Sequence, residues 1–459
     1  MNARSGSALT FGMAVALIAG VTLGNGGANV MPVFVDDFSS RFAMSDSGAG
    51  LVAATQLMAT AVVTLLLAER AARPGRVRMT RVGLAVAGVG FLGAAAVTDP
   101  VTLILANLVL GAGLGAVYAA ATAALAATDD ADKASAVTIS GVVGATALLI
   151  MGVPAANHDF GAGTGFLLMA LCCLVAWPLI RRLPEDPAGR APTDAASAGT
   201  GESTAAKPSV VLLLGTALLW AVTQGAWSYA SVLGRQHTGM SHSAVSAVLA
   251  ISSVVALVGA AVGPVAARRF GRMRSMAVFV AAQALAMAVL ILTHDPVLFT
   301  VAAVLWQACQ LAVLVQTLAA AALIDPTGRL VASLSGAGAL VTGIGPLAVG
   351  AVLDAAGADA LGLVLALGTF LASLPLLRMT VARRHRPSAA SAGPPPRPGE
   401  HFSPVVRRLD AVKRPPPLTQ NRGGGRFTAA AASRWPLRSP LWPQGSVPAG
   451  RPVHRFPTT

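Results

Sequence analysis

Twelve apolar stretches, separated by short polar segments, fill the chain from its start to about residue 380. They cover 9–34, 48–68, 82–98, 101–126, 134–154, 163–181, 210–233, 243–266, 275–293, 297–324, 330–353 and 360–378. A helix needs roughly 20 apolar residues to cross a bilayer, and each run is near that length. We number them spans 1–12. The pattern predicts an all-α polytopic membrane protein with twelve transmembrane helices. Arg4 before the first run resembles the start of a signal peptide. The run is too long for a signal core and more spans follow it, so we expect it to stay as span 1.

The polar segments carry a second signal. A shift of 196 residues, without a gap, superposes the two halves. Met44-Ser45-Asp46-Ser47 falls on Met240-Ser241-His242-Ser243. Arg73-Pro74-Gly75-Arg76-Val77-Arg78 falls on Arg269-Phe270-Gly271-Arg272-Met273-Arg274. Asp99-Pro100-Val101 falls on Asp295-Pro296-Val297, Asp129 on Asp325, and Lys133 on Arg329. One offset serves four loops, where apolar similarity cannot help. An even number of spans per repeat gives both copies the same orientation, a parallel 6+6 duplication of a kind that secondary transporters use. The expected domains are a bundle at 1–182, a linker at 183–209, a second bundle at 210–382 and a tail at 383–459.

Each repeated element has a mechanical reading. Ser45 and Ser241 can cap spans 2 and 8. Asp99-Pro100 and Asp295-Pro296 place Pro in the first turn of spans 4 and 10. Gly75 and Gly271 permit tight turns, and the arginines beside them can bond helix carbonyls or lipid phosphates.

Composition agrees: 54% of residues are hydrophobic, 11% charged, and the mean hydropathy is +0.68. Charged residues run near 25% in soluble domains. The net charge of +14 belongs to the tail: residues 1–382 hold 19 Lys+Arg and 17 Asp+Glu, leaving 14 and 2 for 383–459. That tail is rich in Pro, Gly and Arg, lacks apolar periodicity, and reads as disordered. It offers no support for nucleic-acid binding as the main function. Lys and Arg between the spans fall almost wholly on one side, with only Arg41 and Arg235 on the other. The asymmetry predicts cytoplasmic termini and a cytoplasmic-membrane location. Cys172, Cys173 and Cys309 sit in apolar runs and build neither a disulfide framework nor a metal site. His158-Asp159 and His294-Asp295 read as turn residues. No phosphate-binding loop occurs, so we expect neither an enzyme nor an ATP-driven pump, and no cofactor.

Twelve spans, a parallel duplication, a long central linker and Gly-Arg loops after spans 2 and 8 resemble the major facilitator superfamily over about 1–380. Arg73, Gly75 and Arg76, with Arg269, Gly271 and Arg272, match part of that family's loop motif. The motif's Asp falls on Ala72 and Arg268, and its first Gly on Ala68 and Pro264. Asn107-x-x-x-Gly111-x-Gly113 in span 4 resembles an exporter motif without its Arg. The resemblance implies that spans 1, 4, 7 and 10 surround a central cavity.

Polar side chains point to the same spans independently, because facing lipid is costly for them. Asn25 and Asn29 lie four apart in span 1. Asn107 and Tyr118 share a face of span 4. Trp220, Gln224 and Trp227 fall at i, i+4 and i+7 in span 7, and Trp306, Gln307 and Gln310 cluster in span 10. At 1.5 Å per residue, Trp220, Trp306 and the three glutamines fall near the midplane. Asn29, Trp227 and Tyr229 also suit the membrane interface. No ionisable side chain lies deep in a span. Asp36, Asp37 and Asp354 sit at outer ends, where we expect solvation or capping; Asp36 and Asp37 are the nearest candidates for proton coupling. A neutral cavity of aromatics and amides suits a neutral or amphipathic small molecule, and Trp faces could hold a cation. Export of a drug or metabolite is the favoured activity, with uptake of a sugar or organic acid next, and a receptor or scaffold that no longer transports third.

Overall fold

The computed structural model describes residues 9–128, 130–185, 210–324 and 329–381, all within the compact unit Met1–Ala389. The linker after 185, the tail, Arg4, Asp129 and Asp325 lie outside the described residues. Among the described residues, ten helices are long and apolar enough to cross a membrane, and Phe11–Gly24 and Ser333–Thr342 are shorter apolar helices. The shorter pieces belong to spans 1 and 11, which are built from helical segments in series. The architecture is the twelve-helix, two-bundle membrane fold.

Span 1 runs as Phe11–Gly24, Gly26–Asn29 and Met31–Phe42. The breaks have a local cause. Gly24, Gly26 and Gly27 weaken the helix. Pro32 lacks the N–H that the Ala28 carbonyl would receive, and Val33 N–H turns instead to Val30 O at 3.0 Å. Span 11 is Arg329–Thr342, interrupted at Gly343 and resumed at Ile344. Gly357, at φ 75°, separates spans 11 and 12 within the final helical stretch Ile344–Val381.

The offset of 196 residues reappears in three dimensions. Helix Arg76–Ala96 has its counterpart in Arg272–Leu292, equal at both ends. Ser45 Oγ caps Gly48 N and Ser241 Oγ caps Ala244 N, both at 3.2 Å. Asp99 caps Val101 and Thr102, and Asp295 caps Leu298. Gly75 and Gly271 both take positive φ, at 104° and 86°.

One expectation is overturned at the end of span 1. The helix does not stop near residue 34 but continues to Phe42, with Ala43 in the left-handed region. Asp36 and Asp37 are therefore not solvated loop acids. They are 4% and 7% exposed, and both carboxylates have partners that the local sequence does not reveal.

The bundle has two ends. One is rich in arginine and carries the turn after span 2. There Arg76, 1% exposed, donates to the carbonyls of Ala71, Ala72 and Pro184. The Glu185 carboxylate accepts the backbone N–H groups of Gly75, Arg76 and Val77. Burial alone would raise the Glu185 pKa. The N–H groups of Val77, Gly75 and Arg76, with the Arg76 charge, outweigh it and hold the carboxyl below its usual value. At the other end, Arg41 closes the C-terminus of span 3 by donating to Ala94 O, Ala95 O and Val97 O at 3.0, 2.8 and 2.7 Å.

Candidate functional site

A cavity of about 500 Å3 lies between the bundles, near the middle of the spans and toward the arginine-rich end. Asn25 and Asn29 reach it from span 1, Tyr118 from span 4, Trp220, Gln224 and Trp227 from span 7, and Gln307 and Gln310 from span 10. Eight of the ten residues proposed from the sequence thus meet around one space. Asn107 and Trp306 do not. Asn107 is fully buried and donates to Leu103 O of its own helix at 2.9 Å. Trp306 is fully buried beneath Trp227, with ring centroids 6.2 Å apart. It supports a lining residue instead of lining the cavity itself.

The sequence reading missed the hydroxyl-bearing and small residues that complete the wall. Thr60 and Thr64 of span 2, Thr146 of span 5, Ser253 of span 8, and Ser335 and Thr342 of span 11 also line it. Their signal was weak, because Ser and Thr satisfy themselves on their own helix and are cheap in a span. Among the described lining residues none is charged. The polar lining is ordered by hydrogen bonds: Asn25 donates to Asn29 at 3.0 Å, and Asn29 to Thr146 at 3.2 Å.

The broken helix of span 1 meets span 7 across the cavity floor. Gln224 Nε2 donates to Ala28 O at 3.2 Å, filling the acceptor that Pro32 leaves empty. Trp227 Nε1 donates to Asn29 O at 3.1 Å. Ala28 and Gln224 are themselves repeat counterparts, so the approximate twofold axis passes between them. Irregular backbone at membrane depth needs such partners.

Beyond this floor, away from the arginine-rich end, the bundles are tied together. Arg235 forms an ion pair with Asp36, its Nε lying 2.9 Å from Oδ1. His242 bridges the pair, with Nδ1 3.0 Å from Asp36 and Nε2 3.1 Å from Arg235. The Tyr229 hydroxyl donates to Asp46 O where Gly50 and Gly350 allow spans 2, 7 and 11 to approach. Tyr229 is thus fully buried, not interfacial. The Asp354 carboxylate accepts Asp46 N and Ser47 N at 3.1 and 2.9 Å, capping span 2 from the other bundle. Asp37 accepts from Asn157 at 2.9 Å, while its second oxygen is buried without a partner among the described residues. The cavity therefore has a sealed end and faces the arginine-rich one.

The loop residues divide differently. Arg76 and Gly75 are locked to Glu185, and Arg73 is exposed. Arg272 is only partly buried, and Arg269 lies over the Phe270 ring at 5.6 Å.

A family model described as Major Facilitator Superfamily matches residues 15–328. A search of curated proteins returns no match. Among solved structures, a point mutant of the nucleoside transporter NupG superposes with TM-score 0.63 at 12% identity, covering 81% of this chain and 100% of that one. A bacterial homologue of the human lysosomal transporter Spinster, in an inward-facing and unoccupied conformation, gives 0.59 at 18% identity, with 81% and 93% covered. The xylose transporter XylE from E. coli, partially occluded and inward open, gives 0.60 at 14% identity, with 80% and 98% covered.

Proposed function

The chain belongs to the major facilitator superfamily, and from that premise we propose that it exports a small, neutral or amphipathic organic solute across the cytoplasmic membrane. Membership and fold imply secondary transport of a solute by a multi-pass membrane protein. The observation that carries the finer reading is the cavity of about 500 Å3 with no charged described lining residue. Its volume is that of a small-molecule site. Tryptophan faces and amides suit an aromatic or amphipathic solute through stacking and hydrogen bonds. A dianion would need a cationic partner in that wall.

In this reading the bundles at 1–182 and 210–382 rock about the Ala28–Gln224 axis. The arginine-rich end is cytoplasmic, in keeping with the positive-inside rule, and both termini lie there. The cavity then faces inward while the Asp36–Arg235 and Tyr229–Asp46 ties close the outside. Loops at Arg73–Arg76 and Arg269–Arg272 flank the inner mouth. Asp36 and Asp37 are the carboxylates assigned to proton coupling, because they are buried at the seal that must open.

The test uses purified protein in liposomes with an imposed proton gradient and an internal pH-sensitive dye. Hydrophobic cations, neutral antibiotics, sugars and small acids are added singly. A solute-dependent proton flux that is lost in a Trp220→Ala/Trp227→Ala variant supports coupled transport through this cavity. Gradient-independent equilibration of a labelled solute would assign a facilitator instead. Flux driven only by sugars or small acids would favour uptake, the second reading. Failure of every compound to bind or move would turn the assignment toward a scaffold.

A further inference from the structure

Behind Trp220 lies a second, smaller pocket of about 50 Å3. It sits wholly inside the second bundle, walled by spans 7, 9, 10, 11 and 12. Trp220, Gln310 and Ser335 line both this pocket and the main cavity, so the two spaces adjoin. Span 9 contributes Gln283, which is 1% exposed. Neither its amide nitrogen nor its amide oxygen has a partner among the described residues. A buried amide without partners is costly and calls for an explanation. Gln56 and Gln316 are also buried without amide partners among the described residues, but of the three only Gln283 lines either of these two cavities.

The pocket's residues differ in the other repeat. At the position of Gln283 the first bundle has Ala87, packed on the backbone of Gly113. The counterparts of Gly113 and Gly83 are Cys309 and Phe279. Larger side chains replace the glycine contact and an amide replaces a methyl group. The shared bundle architecture therefore does not demand an amide at this position.

Its chemistry is narrow. Thr216, Thr223 and Thr317 give their hydroxyl protons to Leu212 O, Leu219 O and Val313 O, leaving only acceptor lone pairs. Gln283 offers both a donor and an acceptor. Leucines and Val313 form the remaining wall, apart from Trp220, Gln310 and Ser335 on the side shared with the main cavity. No charged side chain is among the described lining residues, so an ionised group would lose its hydration with no compensation. One water needs roughly 10–15 Å3, so the pocket holds a group of a few heavy atoms.

We propose that this pocket is a specificity subsite, in which the transported solute seats a small uncharged donor–acceptor group, a primary carboxamide or hydroxyl on a short apolar arm, against Gln283. The remainder of the solute occupies the main cavity, so the proposal rests on the solute-cavity reading above.

The test places a thiol in the pocket by Thr216→Cys, with Cys172, Cys173 and Cys309 replaced by Ala and Gln283 kept. The full-length protein is treated with 2-hydroxyethyl, 2-sulfonatoethyl and 2-(trimethylammonium)ethyl methanethiosulfonates. Desolvation of the charged reagents should make them about a hundredfold slower than the neutral one. Isobutyramide should slow labelling by the neutral reagent, isobutyrate should not, and Gln283→Leu should abolish the protection. Equal rates for charged and neutral reagents would overturn the proposal. So would protection by isobutyramide that is absent, or that survives Gln283→Leu. A separate Gln307→Cys variant reports the main cavity alone and should react with all three reagents. Failure at Thr216→Cys with normal reaction at Gln307→Cys rejects the subsite only. Failure at both rejects the open cavity, and the subsite with it.

Discussion

The crossing of spans 2 and 4 and that of spans 8 and 10 are repeat counterparts, yet they are built with the glycines on opposite helices. In the first bundle Gly111 and Gly115 of span 4 lie against the Gln56 and Thr60 carbonyls of span 2. Thr60 and Thr64 add hydroxyl bonds to Gly111 O and Gly115 O at 3.1 and 3.2 Å. In the second bundle Gly259 and Gly263 of span 8 lie against Ala308 and Ala312 of span 10. Small residues let helices approach without a hydrophobic driving force, whichever partner carries them. Putting them on span 8 frees span 10. The counterparts of Gly111 and Leu114 are Gln307 and Gln310, both cavity-lining. The repeat thus preserves a crossing while the second bundle takes on most of the aromatic and amide lining.

This difference can be broken most severely at Gly259. A side chain there overlaps the Ala308 carbonyl, which no rotamer change relieves. Gly259→Val should cost about 3 kcal/mol or more, the upper range for overpacking. Gly144→Val, with nothing within 4 Å of an added Cβ, should stay within about 1 kcal/mol by thermal unfolding in detergent. Equal losses would mean that the glycine contact does not hold the second bundle.

The next effect concerns the seal between the bundles. The Asp36 and Arg235 side chains are 5% and 25% exposed, so Arg235→Ala leaves a buried carboxylate with only Ser231 and His242 as partners among the described residues. A bias of about 2–3 kcal/mol toward the open seal is expected, below the range for fully buried pairs. An impermeant thiol reagent should then reach Gln307→Cys from the Arg235 side of the membrane. Unchanged protection from that side would detach the ion pair from the seal.

The repeated caps differ by a smaller amount. Ser241→Ala should cost about 1 kcal/mol, the usual value for a lost N-cap. Ser45→Ala should cost about half of that, because Asp354 also holds the N–H groups of Asp46 and Ser47. Identical losses would mean that the Asp354 bonds add nothing.

The smallest effect is a pH dependence confined to the first bundle. Glu185 has a folded pKa below its unfolded one, so its stabilisation is complete above the unfolded value of 4.5. It is lost as pH falls through the lower folded pKa. The melting difference between wild type and Glu185→Gln should therefore be constant above about pH 5 and shrink below about pH 4. A difference that grows on acidification would reverse the assignment.

The spans, their duplication and the depth of the polar residues were legible because each depends on local composition or a fixed offset. Direction around a helix was less so. Trp306 sits near the midplane and Asn107 on an expected span, but both turn into their own bundle. Pairings across the bundles were illegible: Asp36 and Arg235 read as separate outer-end residues, since burial of Asp36 depends on spans 1 and 7 meeting. Gln283 carried a usable signal, as an amide in a span is costly wherever it points. It was passed over because span 9 was not expected at the cavity.

In the proposed transport cycle the seal and the inner mouth are two ends of one rocking motion. Spin labels at Ser47→Cys and Ser243→Cys would report the sealed end, and labels at Arg73→Cys and Arg269→Cys the arginine-rich end, with the native cysteines replaced. Pulsed electron resonance would measure both distances with and without Arg235→Ala. The Ser47–Ser243 distance should lengthen while the Arg73–Arg269 distance shortens, in the same fraction of molecules. Lengthening at the sealed end with no change at the other would contradict it.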